Sequence, residues 1–168
     1  VVKELGRGGM GIVYKAWDTG LKRWVALKLL TARPEGDDLA RFQREAQMAA
    51  SIRHPNIVGV YEVGEIDGGP YIAMEFVDGS TLAGQKFPLK RAAEILAQVA
   101  SAVDHAHATG IIHRDIKPQN VMLDREGKPF VMDFGLAKSV RTESRITVSG
   151  TVIGTPSYMS PEQALGHN

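Results

Sequence analysis

Asp115 stands between two cations in "IIHRDIKPQNVML", residues 111–123, with Arg114 on one side and Lys117 two positions on. Pro118 stiffens the chain before Asn120, and apolar residues flank the cluster. A carboxylate held this way can take the proton of an incoming hydroxyl. The compact charge of the Lys117 ammonium can steady a phosphoryl group in transfer. Arg114 leaves a spare positive charge directed elsewhere. A solvated turn between two strands is the plainer reading, and most charge clusters are of that kind. A second acid argues against it. In "VMDFGLAK", Asp133 directly follows an apolar strand and precedes a glycine that can take unusual backbone angles. Asp133 and Asn120 are both hard oxygen ligands, the sort magnesium takes when it also binds phosphates.

Phosphates need a cradle, and "GRGGMG" supplies Gly6, Gly8 and Gly11 in a G-x-G-x-x-G pattern. The pattern alone is weak. A dinucleotide-binding fold requires the last glycine to open a helix, whereas here it opens "IVYKAW", a β-type segment. The glycines therefore fall in a turn between two strands, which disfavours the dinucleotide and leaves an ordinary hairpin turn open. Lys28 lies inside the apolar "VALKLL". Buried, it needs a counter-charge, and Glu45 in "FQREAQ" offers one; a Glu–Lys pair beside a glycine loop can steer a polyphosphate. The alternative is a strand-edge lysine facing water.

The elements that must hold these residues are legible in outline. "GIVYKAWD" and "RWVALKLL" read as strands joined by the turn-like "TGLK". "RPEGDD", residues 33–38, reads as a loop, and "DLARFQREAQMAASI" as a helix with Leu39, Phe42, Ala46, Ala49 and Ala50 at helical spacing, stopped by His54-Pro55-Asn56. "IVGVYEVGEI" and "PYIAMEFV" form a hairpin pair around "DGG". The second half opens on a helix, "LKRAAEILAQVASAVDHAHATG", with Ala92, Ile95, Leu96, Val99, Val103 and Ala106 on one face and Gly110 as its C-terminal cap. Short strands follow around Asp115, then a long polar segment. A strand-rich half and a helix-led half give two lobes joined near residues 75 to 79.

Composition sets the outer bounds. The chain has 168 residues, 43% of them hydrophobic and 23% charged, an ordinary globular balance. A net charge of +1 makes no general electrostatic case for nucleic acid or an acidic membrane surface. No cysteine means no disulfide framework and no thiolate metal site, which fits the cytosol. Apolar runs fall far short of the roughly 18 residues a membrane span needs, and no signal peptide opens the chain. The opening "VVKELGRGG" reads as the interior of a strand, so a start farther upstream is expected.

"GRGGMGIV", "VALK", Glu45, "HRDIKPQN", "DFG" and "GTPSYMSPEQ" occur in the order and rough spacing of eukaryotic-like protein kinases, and the chain resembles that family over nearly its whole length. "HRDIKPQN" is similar to the serine/threonine branch, and "HPNIVGVYEVGE", "PYIAMEFVDG" and "SPEQ" to bacterial members. The resemblance implies an α+β, two-lobed kinase fold: a β-rich N-lobe over 1–77 and an incomplete, mainly helical C-lobe over 78–168. It implies ATP and Mg²⁺ as cofactors and serine or threonine hydroxyls of proteins as acceptors. Leu5, Gly6, Arg7, Gly8, Gly9, Met10, Gly11, Ile12 and Val13 would form a lid over ATP. Lys28, held by Glu45, would bind the α- and β-phosphates. Asp115 would be the catalytic base assisted by Lys117, with Asn120 and Asp133 holding Mg²⁺. Met74 would guard the back of the pocket, backbone groups of Glu75 and Val77 would meet adenine, and Val13, Ala26 and Met122 would pack its faces.

Two departures stand out. Ser160-Pro161-Glu162 replaces the family's Ala-Pro-Glu, and the chain ends at Asn168 where family members continue with further helices. The resemblance implies an active kinase for the full-length protein; a nucleotide-binding scaffold without catalysis is the other class, disfavoured because Lys28, Asp115, Asn120 and Asp133 are all intact. The segment alone is not expected to be active or very stable. Residues 138–158 hold eight serines and threonines. Thr147, Ser149 and Thr151 are the expected phosphorylation sites, their phosphate pairing with Arg114, while Thr155 would hydrogen-bond the catalytic loop and help select serine or threonine. A homodimer would serve phosphorylation in trans, and the location would be cytoplasmic, with any membrane anchor outside the segment. His105 and His107 point about 200° apart on a helix and cannot readily chelate together, and His113 would pack and hydrogen-bond beneath the catalytic loop.

Overall fold

The computed structural model describes residues 1–8, 11–31, 44, 46–134 and 156–164. Gly9, Met10, Glu45, Thr147, Ser149, Thr151 and Thr155 therefore lie outside the described residues.

The strand patterns of the first half become one antiparallel sheet of five strands in the order β1-β2-β3-β5-β4. These are β1 Lys3–Gly8, β2 Gly11–Asp18, β3 Arg23–Leu30, β4 Val60–Ile66 and β5 Gly69–Glu75. The glycine run does join two strands, as read from "IVYKAW". Gly11 must be glycine for a local reason: a Cβ there would meet the Leu29 carbonyl oxygen at 2.1 Å. The β2–β3 turn is set by Asp18, whose carboxylate accepts from the N–H groups of Gly20 and Leu21, both at 3.0 Å. The β4–β5 turn places Asp67 at φ 52° and Gly68 at φ 72°. Two consecutive positive values match the twist of a tight hairpin, which is why Asp-Gly suits it.

Helix α1 is helical at residue 44 and over 46–51, and α2 is Leu89–Ala108. Gly110, at φ 79°, ends α2: its N–H donates to His107 O (2.9 Å) and that of Ile111 to Ala106 O (3.0 Å), a glycine-closed helix end. The buried stripe of α2 is Ile95, Val99, Ala102 and Ala106. Leu96, expected on this face, is 62% exposed, because it stands about 100° around the helix from Ile95. Each aliphatic side chain in that stripe that leaves water contributes on the order of 1.5–3 kcal/mol if large and less if alanine.

A second sheet, β6-β7-β8, comprises Gly79–Thr81, Val121–Asp124 and Pro129–Val131. Sequence patterning missed β6, whose Gly-Ser-Thr carries no apolar alternation. Its pairing still demands glycine, since a Cβ on Gly79 would lie 1.8 Å from Leu123 O. One hydrophobic cluster unites Ala26, Ile72 and Met74 of the large sheet with α1 and Phe130; another unites α2 with Val121, Leu123 and Val131. The segment before β4 is stitched to β8 by parallel pairing, Val131 N–H to Asn56 O (2.8 Å) and Val58 N–H to Val131 O (2.9 Å). The Asn56 amide adds a bond to Pro129 O at 2.8 Å. Helix α3, Pro161–Ala164, closes the described chain.

Candidate active site

A cleft of about 560 Å³ lies between the two sheets. Val13 and Ala26 line it from β2 and β3, Leu5 and Gly6 from β1, and Met122 from β7. Alternation explains the set, since Ala26 and Lys28 are two apart on β3 and share a face. Met74, Glu75 and Val77 line the cleft where the chain passes from β5 to β6. The Glu75 N–H is taken by Gly59 O at 2.8 Å, so a ligand meeting that residue's backbone must meet its carbonyl. Phe76 is anchored by Lys15, whose ammonium sits 4.2 Å from the Phe76 ring and 4.4 Å from the Trp24 ring. Arg7, Gly8, Gly11 and Ile12 belong to the same strands but are not among the lining residues. The Arg7 side chain pairs instead with Glu4 at 3.0 Å.

Lys28 is buried, so the water-facing alternative fails. Its ammonium donates to Asp133 Oδ1 at 2.7 Å, a pair whose side chains are 7% and 20% exposed. Asp133 adopts φ 64°, unusual for a residue with a Cβ. Its Oδ2 has no hydrogen-bond partner among the described residues. The β7–β8 ladder brings Asp133 to Asn120: Val121 pairs with Val131, and the Met132 N–H donates to Asn120 O at 3.0 Å.

Among the described residues, both hydrogen bonds to the Asp115 carboxylate fall on one oxygen. Oδ2 accepts from Lys117 Nζ at 2.7 Å and from Asn120 Nδ2 at 3.0 Å. The same Asn120 amide donates to the Asp115 carbonyl at 2.8 Å, which occupies its hydrogens and leaves its Oδ1 as the atom available to a cation. Asp115 Oδ1 has no partner among the described residues. The Asp115 carboxylate is thus held in a fixed orientation by its neighbours, which a solvated turn does not provide. Arg114 has φ 65° and an exposed side chain.

His113 lies beneath, 1% exposed, its ring 4.6 Å from that of Phe134. Nε2 contacts Met132 O at 2.8 Å and Nδ1 accepts from the Asp115 N–H at 3.3 Å, which sets the neutral tautomer with its proton on Nε2. Burial lowers its pKa from the ordinary 6.5, outweighing the Met132 carbonyl and the nearby carboxylates. The unfolded chain therefore binds a proton that the folded one refuses. Stability holds above about pH 6.5 and declines as the pH falls from there toward the depressed folded value. Following the His113 ring resonances with pH checks this; a midpoint at or above 6.5 contradicts it. His105 packs its ring 5.2 Å from that of His54, and His107 is exposed.

The residues fit a magnesium nucleotide. Gly6 and Gly8 have nothing within 4 Å of where a Cβ would stand, so the space beside them is open. A buried ammonium and two oxygen donors, Asp133 Oδ2 and Asn120 Oδ1, complete a set suited to phosphates with a hard cation. Sequence reasoning missed Val58 and Met132 in the lining. Met132 was discoverable as the apolar residue directly before Asp133; Val58 had no such signal.

This fold, with its cleft and its oriented aspartate, is that of the protein kinases. The chain belongs to that family: residues 1–168 match the protein kinase domain. It is 50% identical over 176 residues to the probable serine/threonine-protein kinase PknB of Lactococcus lactis, covering 100% of this chain and 28% of that protein. To the serine/threonine-protein kinase PrkC of Bacillus subtilis it is 44% identical over 173 residues, covering 99% and 26%. The crystal structure of the Mycobacterium tuberculosis PknI kinase domain superimposes with a TM-score of 0.79 at 34% identity, covering 100% of this chain and 64% of that one. The chain thus spans between a quarter and a third of these two curated relatives. No helix among the described residues is long and apolar enough to cross a membrane.

Proposed function

We propose that the protein carrying this chain transfers the γ-phosphoryl group of ATP to serine or threonine hydroxyls of protein substrates. The observation that carries this is Asp115, with Oδ2 accepting from Lys117 and Asn120 and Oδ1 without a partner among the described residues. The acceptor hydroxyl gives its proton to Oδ1, its oxygen bonds to the γ-phosphorus, and the bond to the β-phosphate oxygen breaks to release ADP. Lys28 orients the α- and β-phosphates, and Lys117 offsets charge on the moving group. Asn120 and Asp133 would hold Mg²⁺, which when bound supplies charge neutralisation across the phosphates. Adenine lies between Val13, Ala26 and Met122, meets backbone groups of Glu75 and Val77, and has Met74 behind it. The strands bearing Leu5 to Val13 form the lid. The lobes divide at 77/78, Glu45 is a further partner for Lys28, and the reaction is cytoplasmic.

Activation follows from the exposed Arg114, a guanidinium suited to a phosphate on Thr147, Ser149 or Thr151. That phosphate comes from a second copy of the protein acting in trans, and Thr155 contributes to the choice of serine or threonine. Incubating the full-length protein with labelled ATP, Mg²⁺ and a generic protein acceptor should give label on serine and threonine. Phosphosite mapping should find at least one of the three residues, and replacing all three by alanine should slow transfer about tenfold, roughly 1.4 kcal/mol. No transfer by the wild type sinks the kinase reading. An unchanged rate in the triple variant sinks the activation step alone.

A further inference from the structure

Gln163 sits just past the glycine- and proline-rich "GTPSYMSPE", with no role in the chemistry above. Its side-chain Oε1 accepts from the Ser160 N–H at 3.2 Å, and its own N–H donates to Ser160 Oγ at 3.4 Å. With Pro161 at the first helical position, this is a capping box for α3. The other end of the same amide does something a cap does not require. Nε2 donates to the Arg114 carbonyl at 2.9 Å, across 49 positions of chain.

That carbonyl belongs to the peptide unit whose N–H, on Asp115, donates to His113 Nδ1. The plane joining Arg114 to Asp115 is therefore held at both edges, by Gln163 on its oxygen and His113 on its nitrogen. It needs holding, because Arg114 is in the left-handed region at φ 65°, a strained conformation for a residue with a Cβ. The orientation of this plane fixes where the Asp115 side chain leaves the backbone.

We propose that Gln163 is a positioning residue: its amide locks the Arg114–Asp115 peptide plane and so aims the Asp115 carboxylate, tying the segment after "GTPSY" to the catalytic loop. The proposal rests on the kinase reading for its effect on rate, but not for its effect on the backbone.

Gln163→Glu separates the two roles, since a carboxylate can still accept from the Ser160 N–H but cannot donate to Arg114 O. In the full-length protein we expect kcat for the acceptor to fall about tenfold or more, a displaced catalytic group being costly. KM for ATP should stay within about twofold, because no nucleotide contact is touched. Amide hydrogen exchange over 111–117 should accelerate. Ser160→Ala, which loses only a cap bond, should lower thermal stability slightly and leave kcat and that exchange near wild type. An unchanged kcat or unchanged exchange in Gln163→Glu overturns the proposal, as does a Ser160→Ala variant that reproduces both changes. A wild type without transferase activity instead overturns the kinase reading, and the exchange measurement, which needs no turnover, tells that failure from failure of the clamp.

Discussion

Asp115→Asn should slow phosphoryl transfer by about 10²- to 10⁴-fold, the range of a lost general base, while ATP binds almost as before. The geometry makes the substitution clean. Lys117 and Asn120 both present donors to Oδ2, so the asparagine oxygen will turn toward them and keep the loop folded. Its NH₂ then faces outward, a donor where the acceptor hydroxyl needs a base. Nothing that lines the cleft changes, since Asp115 is not part of that lining. Single-turnover transfer measured beside nucleotide binding decides it. A variant retaining more than about a tenth of the wild-type rate, a barrier change under about 1.4 kcal/mol, removes Asp115 from the role of base.

Lys28→Met should cost about 10²- to 10³-fold in transfer, as loss of one preorganised charge does. Folding should suffer far less. Methionine fills a similar volume at a buried site, and Asp133, 20% exposed, keeps access to water when its partner is gone. The discriminating comparison is rate against thermal midpoint. If the variant matches wild type in transfer, the account of Lys28 as the phosphate anchor is wrong; if it loses rate only in proportion to folded protein, Lys28 is structural.

Local rules carried the strands, the Asp67-Gly68 turn and the Gly110 helix end, because each depends on neighbours a few residues away. They failed where the outcome depends on distant partners. Leu96 and Ile95 are adjacent and equally apolar, and only the surface each meets makes one buried and the other exposed. The buried lysine demanded an acid, and sequence offered Glu45 on the helix downstream, which lies outside the described residues. The described partner, Asp133, lies 105 positions away, a pairing that only the packing of β3 against the β7–β8 hairpin can create. The order of motifs pointed to the family at once. It could not reveal that, among the described residues, both bonds to the Asp115 carboxylate fall on a single oxygen, nor that the Glu75 N–H is already committed to Gly59.

The stitching of Asn56 and Val58 to Val131 bears on how the cleft can open. Two bodies joined by one covalent crossing can turn about three axes. Here the crossing near residues 75 to 79 is supplemented by a second junction, the short ladder onto β8 fixed further by the Asn56 bond to Pro129 O. Two points define a line, and rotation about that line is the one motion that stretches neither. Rocking of the large sheet over the small one about that line strains neither junction, whereas twist or sideways slip would have to stretch the bonds that join Asn56 and Val58 to Val131. Rocking is therefore the displacement expected to keep Lys28 in register with Asp133.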